Sequence, residues 1–61
     1  MRFNDLKVGI KVIDTWFPEW GVGVVKKKLK AVIKVAFGND IKTYDRSHCQ
    51  FLRKDERELN K

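Results

Sequence analysis

The chain has 61 residues, which is enough for one small domain with a thin margin of stability. Hydrophobic residues make up 43% of it, too large a share for a disordered basic tail. Fourteen lysines and arginines against eight acidic residues give a net charge of +6, which favours an acidic partner such as nucleic acid or an anionic protein face. Most inward side chains are needed to fill so small a core, so we expect no small-molecule substrate and no cofactor.

Membrane and disulfide-stabilised proteins are excluded as well. No apolar run approaches the roughly 18 residues of a membrane span, and the first residues lack the apolar core of a signal peptide. Cys49 is the only cysteine, so no internal disulfide can form. We therefore expect a cytoplasmic protein with no membrane partner.

Alternating apolar residues and turn signals divide the chain into short strands. Val8, Ile10 and Val12 alternate with Gly9 and a lysine, which indicates a first strand. Residues 16–20, Trp-Phe-Pro-Glu-Trp, follow as a loop, which we call the aromatic loop, because Pro18 cannot donate a hydrogen bond to a strand ladder. The third segment has the clearest alternation, and the Gly-Asn-Asp sequence after it is typical of a tight turn. The predicted strands span residues 8–14, 21–28, 31–37, 41–45 and 49–52.

Five short strands in so short a chain predict an all-β fold, and the size selects a small five-stranded SH3-like (Tudor-like) barrel. A barrel also removes the exposed edges of an open sheet. We expect one barrel domain over residues 1–52 and a charged tail over residues 53–61, mobile because nothing tethers it strongly.

Several segments of the sequence are similar to a known family. Residues 6–12, Leu-Lys-Val-Gly-Ile-Lys-Val, resemble the opening strand of many SH3-like modules. With residues 18–25, 33–37, 44–45 and 51–52 they form a succession that looks like the Tudor-like C-terminal domain of UvrD/PcrA-type DNA helicases and its small stand-alone relatives. KOW- and CarD-type modules share this outline. The resemblance implies a docking module that contacts RNA polymerase, and it has a link to nucleic acid.

The lysine-rich segment between residues 26 and 34 is the strongest functional feature, since no acid interrupts it. If Val25, Ile33 and Val35 point inward, strand alternation places four lysines, at 26, 28, 30 and 34, on one solvent face. Their repulsion costs stability, so an anionic partner is one reading and protection of an edge strand against aggregation is the other. The residues predicted to bind an anionic partner or nucleic acid are Lys26, Lys27, Lys28, Lys30, Lys34 and Lys42.

An aromatic loop is the second candidate site. Its rings bracket Pro18, and a cluster of this kind can stack bases, cage a cation or anchor a protein interface. The structural alternative is that Trp20 caps the barrel and Phe17 packs beneath the loop. We expect Trp16 to be exposed, because it leaves a strand at the entrance of the loop. The residues predicted to bind a protein are Trp16, Phe17, Glu19, Trp20 and Tyr44.

The remaining motifs do not support catalysis or a metal site. The Gly21-Val22-Gly23 segment lacks a phosphate-loop pattern and indicates a bend or a close backbone approach. Adjacent residues on a strand point to opposite faces, so His48 and Cys49 make no nucleophile pair, and the chain has one histidine. We interpret His48 as a surface residue beside a buried cysteine, and three phenylalanines as core, namely Phe3, Phe37 and Phe51.

Three functional hypotheses follow. The first is a non-enzymatic module that docks on transcription or DNA-repair machinery, of the RNA polymerase type, through the aromatic loop and the lysine hairpin. The second is direct binding of DNA or RNA, in which the lysines contact phosphates and the rings stack on bases. The third is an aromatic-cage reader of peptides or methyl-lysine, built from Trp16, Trp20 and Tyr44 with Glu19 or Asp45 as its acid.

Overall fold

The computed structural model describes residues 1–55 and forms a single antiparallel sheet of five strands, with three short 3₁₀ turns. The order of strands across the sheet is β4-β3-β2-β1-β5. The 3₁₀ turns span Phe3–Asp5, Pro18–Trp20 and His48–Phe51. The strands are β1 (Lys11–Asp14), β2 (Val22–Lys28), β3 (Val32–Phe37), β4 (Asp40–Asp45) and β5 (Leu52–Lys54).

The described part of the chain is therefore all-β, as the sequence predicts. Within residues 1–55 no helix is long and apolar enough to cross a membrane. The hairpin of β3 and β4 follows the predicted turn, since Phe37 pairs with Asp40 and Gly38 has a φ of 62°. A residue with a side chain is strained at such a φ, which explains the glycine there.

The core occupies one face of the sheet and is completed by residues before β1 and after β4. Gly23 lies on this face, where an added Cβ would sit 2.5 Å from the Phe37 ring and 2.7 Å from the Val35 side chain. The close backbone approach that the glycines indicate is thus confirmed at Gly23. The buried hydrophobic residues are Phe3, Leu6, Val12, Val25, Ile33, Val35, Phe37, Tyr44, Cys49 and Leu52.

Two predicted strands differ from the structure. The first begins at Lys11 rather than at residue 8, because Gly9 has a φ of 97° and the chain turns there. That turn leaves Val8 62% exposed, although alternation predicts it on the same face as Val12. The predicted strand over residues 49–52 is mostly the third 3₁₀ turn, which buries Cys49 before the last strand starts.

The last strand extends beyond residue 52, where the sequence predicts the end of the domain. Leu52 pairs with Asp14 and Lys54 pairs with Val12, so this segment forms the edge strand of the sheet beside β1. The backbone N–H of Asp55 also donates to the carbonyl of Lys11 at 2.9 Å. Residues 53–55 therefore belong to the fold, and the rest of the predicted tail, residues 56–61, lies outside the described residues.

Candidate binding groove and basic face

Asp14, at the end of β1, organises the aromatic loop. Its carboxylate is 4% exposed, and Oδ1 accepts the backbone N–H groups of Trp16 at 2.8 Å and Phe17 at 3.3 Å. The Tyr44 hydroxyl donates to Oδ2 at 2.6 Å. These bonds satisfy a buried charge and fix the start of the loop against β4. An aspartate followed by a loop signal is typical of such a turn, so this residue was identifiable in the sequence.

One wall of the site is formed by Trp16 and Phe51. The N–H and the hydroxyl of Thr15 both donate to the Phe51 carbonyl, at 2.8 and 2.7 Å. The Trp16 ring consequently lies against the Phe51 ring, with centroids 4.9 Å apart and planes tilted by 56°. Trp16 is 68% exposed, as predicted, yet its backbone and one ring face are held in place.

The other wall is formed by Phe17 and Trp20. Their rings stack at 4.5 Å with an interplanar angle of 13°, and Trp20 also packs against the buried Phe37 ring at 5.4 Å. The half-buried Trp20 therefore caps one end of the core, as the structural alternative predicts. Lys42 places its Nζ 4.7 Å from the centroid of the Trp20 ring, a cation–π contact.

Between these walls lies a groove of about 560 Å³, which we call the aromatic groove. It brings together four of the five residues predicted to bind a protein, and it adds Lys42 from the predicted basic set. Glu19, the fifth, is exposed on the second 3₁₀ turn and does not line the groove. The lining residues are Asp14, Trp16, Phe17, Trp20, Lys42, Thr43, Tyr44, His48 and Phe51.

Tyr44 forms the floor of the groove rather than a third open wall. It is buried, and burial together with the hydrogen bond to Asp14 raises the pKa of its hydroxyl, so the group remains a donor at all ordinary pH values. A cation cage needs several rings with accessible faces. In this groove the Tyr44 ring is buried and the Trp20 ring already faces Lys42, so two of the three rings predicted for a cage are not open to a cation.

Phe51 and His48 also line the groove, although the sequence predicts a core position for Phe51 and a surface position without a binding role for His48. Phe51 is half-buried instead of core, because the third 3₁₀ turn directs it toward the loop. His48 is exposed, and its ring lies 5.9 Å from that of Phe51. Sequence periodicity could not identify either residue as part of the groove, because it predicts a strand over residues 49–52, where the structure has mostly a 3₁₀ turn.

Asp45 holds His48 at the rim of the groove. Its Oδ1 accepts the backbone N–H of His48 at 2.8 Å and the Ser47 hydroxyl at 2.9 Å, and the His48 Nδ1 lies 2.7 Å away. The hydrogen bonds to His48 hold the pKa of the Asp45 carboxyl at about 2, below its ordinary 3.8. Cys49 is fully buried, as predicted, and burial raises the pKa of its thiol.

The lysine-rich hairpin contains a β-bulge, which strict alternation does not anticipate. Val25 lies opposite Val35 and Lys27 lies opposite Lys34, so β2 has one extra residue, Lys26, between the two pairs. Beyond the bulge, the side chains of β2 lie on the faces opposite to those that alternation predicts.

The bulge changes the position of Lys28 most. Predicted to point outward, it lies half-buried on the core side of the sheet, with its Nζ 4.8 Å from the centroid of the Phe3 ring. Lys30 is exposed in the turn between β2 and β3. The prediction of four lysines on one face is therefore wrong, and the outer face carries the directly opposed pair Lys27 and Lys34 instead.

Comparisons with known proteins give no relative for this chain. No protein-family model matches it, and neither the curated proteins nor the solved structures contain a match. Among the described residues no group of three or more His, Cys, Asp or Glu side chains is arranged to hold a metal ion.

Proposed function

We propose that this chain is a non-enzymatic binding module that holds a segment of a protein partner in the aromatic groove. The observation that carries the proposal is the state of Trp16, which is 68% exposed yet anchored through Asp14 and Thr15. A large ring held in place without burial loses little conformational freedom when it becomes covered, which is typical of interface hot spots. The apolar groove beside it offers further area to bury.

The architecture we propose is an SH3-like, Tudor-like barrel. The support is the position of β1 between β2 and β5, which pairs the first strand of the described chain with the last. Gly23 and the bulge at Lys26 are further support, since glycines and bulges curve strands where small sheets bend around a core. In such a barrel the aromatic groove lies beside β4, at one rim.

The partner we propose is RNA polymerase or another protein of transcription or DNA repair. The support is the resemblance over residues 6–52 to the Tudor-like domains of UvrD/PcrA-type helicases, together with the net charge of +6. Positive charge accelerates encounter with an acidic partner, while the aromatic groove supplies the area that is desolvated.

Single-stranded nucleic acid is the second candidate ligand. The observation that favours it is a lysine, Lys42, over the Trp20 ring of a groove that also presents the Trp16 and Phe51 rings. Aromatic rings can stack on a base while a lysine contacts its phosphate. A peptide is favoured over it because the lysines do not form one continuous stripe toward the groove. A methyl-lysine cage is favoured least, since Lys42 already covers Trp20.

The test is binding of the protein to immobilised, purified RNA polymerase that has been treated with nuclease. We expect Trp16→Ala to weaken binding by about tenfold or more, because an anchoring aromatic residue is removed. Val8→Ala, at an apolar residue of similar exposure outside the groove, is the control and retains affinity. Equal binding by both variants and the unmodified chain would overturn the assignment of the groove, and binding only to a single-stranded oligonucleotide would favour the second candidate.

A further inference from the structure

The outer face of the sheet, on the other side from the core, carries a continuous aliphatic strip. Val24, Ala36 and Ile41 lie side by side across β2, β3 and β4. Ile13 and Val22 form the neighbouring pair across β1 and β2. Ile41 is 56% exposed, and the other four side chains are half-buried. A continuous strip of five aliphatic side chains is unusual on the solvent side of a sheet in so charged a chain.

Basic side chains flank this strip on both sides. Lys27 and Lys34 lie directly opposite each other on one side of it. Arg53 lies opposite Ile13 on the other side. Like charges in directly opposed positions cost stability, so the folded chain keeps an arrangement that an anionic partner would relieve.

We propose that the outer face is a second docking surface, which takes an acidic amphipathic segment of a protein partner. The segment presents aliphatic side chains to the strip and carboxylates to Lys27, Lys34 and Arg53. Charge complementarity selects this occupant. A second copy of the chain would place lysine against lysine, and nucleic acid would find no ring to stack on, because no residue described on this face is aromatic.

This surface is independent of the aromatic groove. No residue of the strip lines the groove, and neither do Lys27, Lys34 and Arg53. Along β4, Ile41 alternates with the groove residues Lys42 and Tyr44, and Thr43 is the one groove residue of this strand on the same side as Ile41. The outer face can therefore bind a partner whether or not the aromatic groove does, and each surface can be tested separately. A partner that engages both sides gains affinity from the two contacts together.

The test uses a synthetic peptide of alternating leucine and glutamate as the probe, at neutral pH and low salt, with ¹⁵N-labelled protein. We expect shifts in the amide signals of the outer face, including those of Val24, Lys34 and Ile41, while the indole signal of Trp16 stays in place. A peptide of alternating leucine and lysine is the charge control and should not bind. Shifts confined to the groove, or equal binding of the lysine peptide, would overturn the proposal.

Matched variants separate binding from folding. Ile41→Ser should weaken binding of the leucine–glutamate peptide by about tenfold, whereas Val8→Ser, at a residue of similar exposure, should leave it unchanged. Lys34→Glu should weaken it by a similar factor and flatten its salt dependence, with Lys7→Glu as the control. Self-association through the outer face, binding of single-stranded DNA there, or no binding at low salt would each refute an acidic protein segment as the occupant.

Discussion

The hydrogen bond from Tyr44 to Asp14 links the aromatic loop to the core, so removing its donor is a sensitive perturbation. Tyr44→Phe keeps the buried ring but leaves Oδ2 of Asp14 without the donor that lies 2.6 Å away. The carboxylate is 4% exposed, so water can replace the lost hydroxyl only in part. The variant thus combines the loss of a charge-assisted hydrogen bond with an incompletely satisfied buried charge.

The expected cost is about 2 to 3 kcal/mol of unfolding free energy. A core of this size supplies only about 3 to 5 kcal/mol, so the variant should lose about 40% of the stability or more. For a domain of this length the midpoint of thermal unfolding, Tm, should fall by about 10 to 20 °C.

Urea and thermal unfolding, followed by circular dichroism, measure this loss. Thr43→Val is the matched control, because it changes a hydroxyl on the same strand at an exposed position and should alter stability by less than about 0.5 kcal/mol. If Tyr44→Phe is no less stable than this control, the hydrogen bond to Asp14 does not hold the aromatic loop in place against β4.

Three further predictions concern stability. The pKa of the Asp45 carboxyl lies at about 2 in the fold against an ordinary 3.8, so the stability that this carboxylate contributes is present above about pH 4 and is lost as the pH falls toward 2. Asp45→Asn should therefore make the free energy of urea unfolding depend less on pH across that range. An equal pH dependence in the variant and the unmodified chain would contradict this. Gly23→Ala should lower the free energy of unfolding by about 1 to 3 kcal/mol, since its methyl group would meet the Phe37 ring. An unchanged midpoint of urea unfolding would show that the Gly23 backbone and the Phe37 ring do not lie so close together. Lys34→Glu should raise the unfolding free energy by up to about 1 kcal/mol because it opposes Lys27, and a lower value would show that the pair does not repel.

The hairpin of β3 and β4 was predictable because local signals agree there. Strict alternation over residues 32–37 and a glycine at the turn both specify the same register. The exposure of Trp16 followed from its place after a strand, at the entrance of the aromatic loop. In these segments the preference of each residue and the tertiary packing point to the same structure.

The position of the bulge and the role of the third 3₁₀ turn were not predictable in this way. A run of consecutive lysines has no apolar residue to show where the period shifts, so the bulge at Lys26 is set by the pairing of β2 with β3. Cys49 and Leu52 are both buried, three residues apart, which fits one helical turn as well as it fits a strand with a kink. Because of this ambiguity, the sequence did not predict that Phe51 forms part of a wall of the groove.

The most direct test of docking through the aromatic groove is an NMR titration that observes the two tryptophan indole N–H signals of the ¹⁵N-labelled chain. Purified RNA polymerase is the titrant. The Trp16 indole signal should broaden at a lower polymerase concentration than the amide signal of Val8, which lies outside the groove. Loss of all signals together, in the unmodified chain and in Trp16→Ala alike, or persistence of the Trp16 signal at saturation, would contradict docking through this groove.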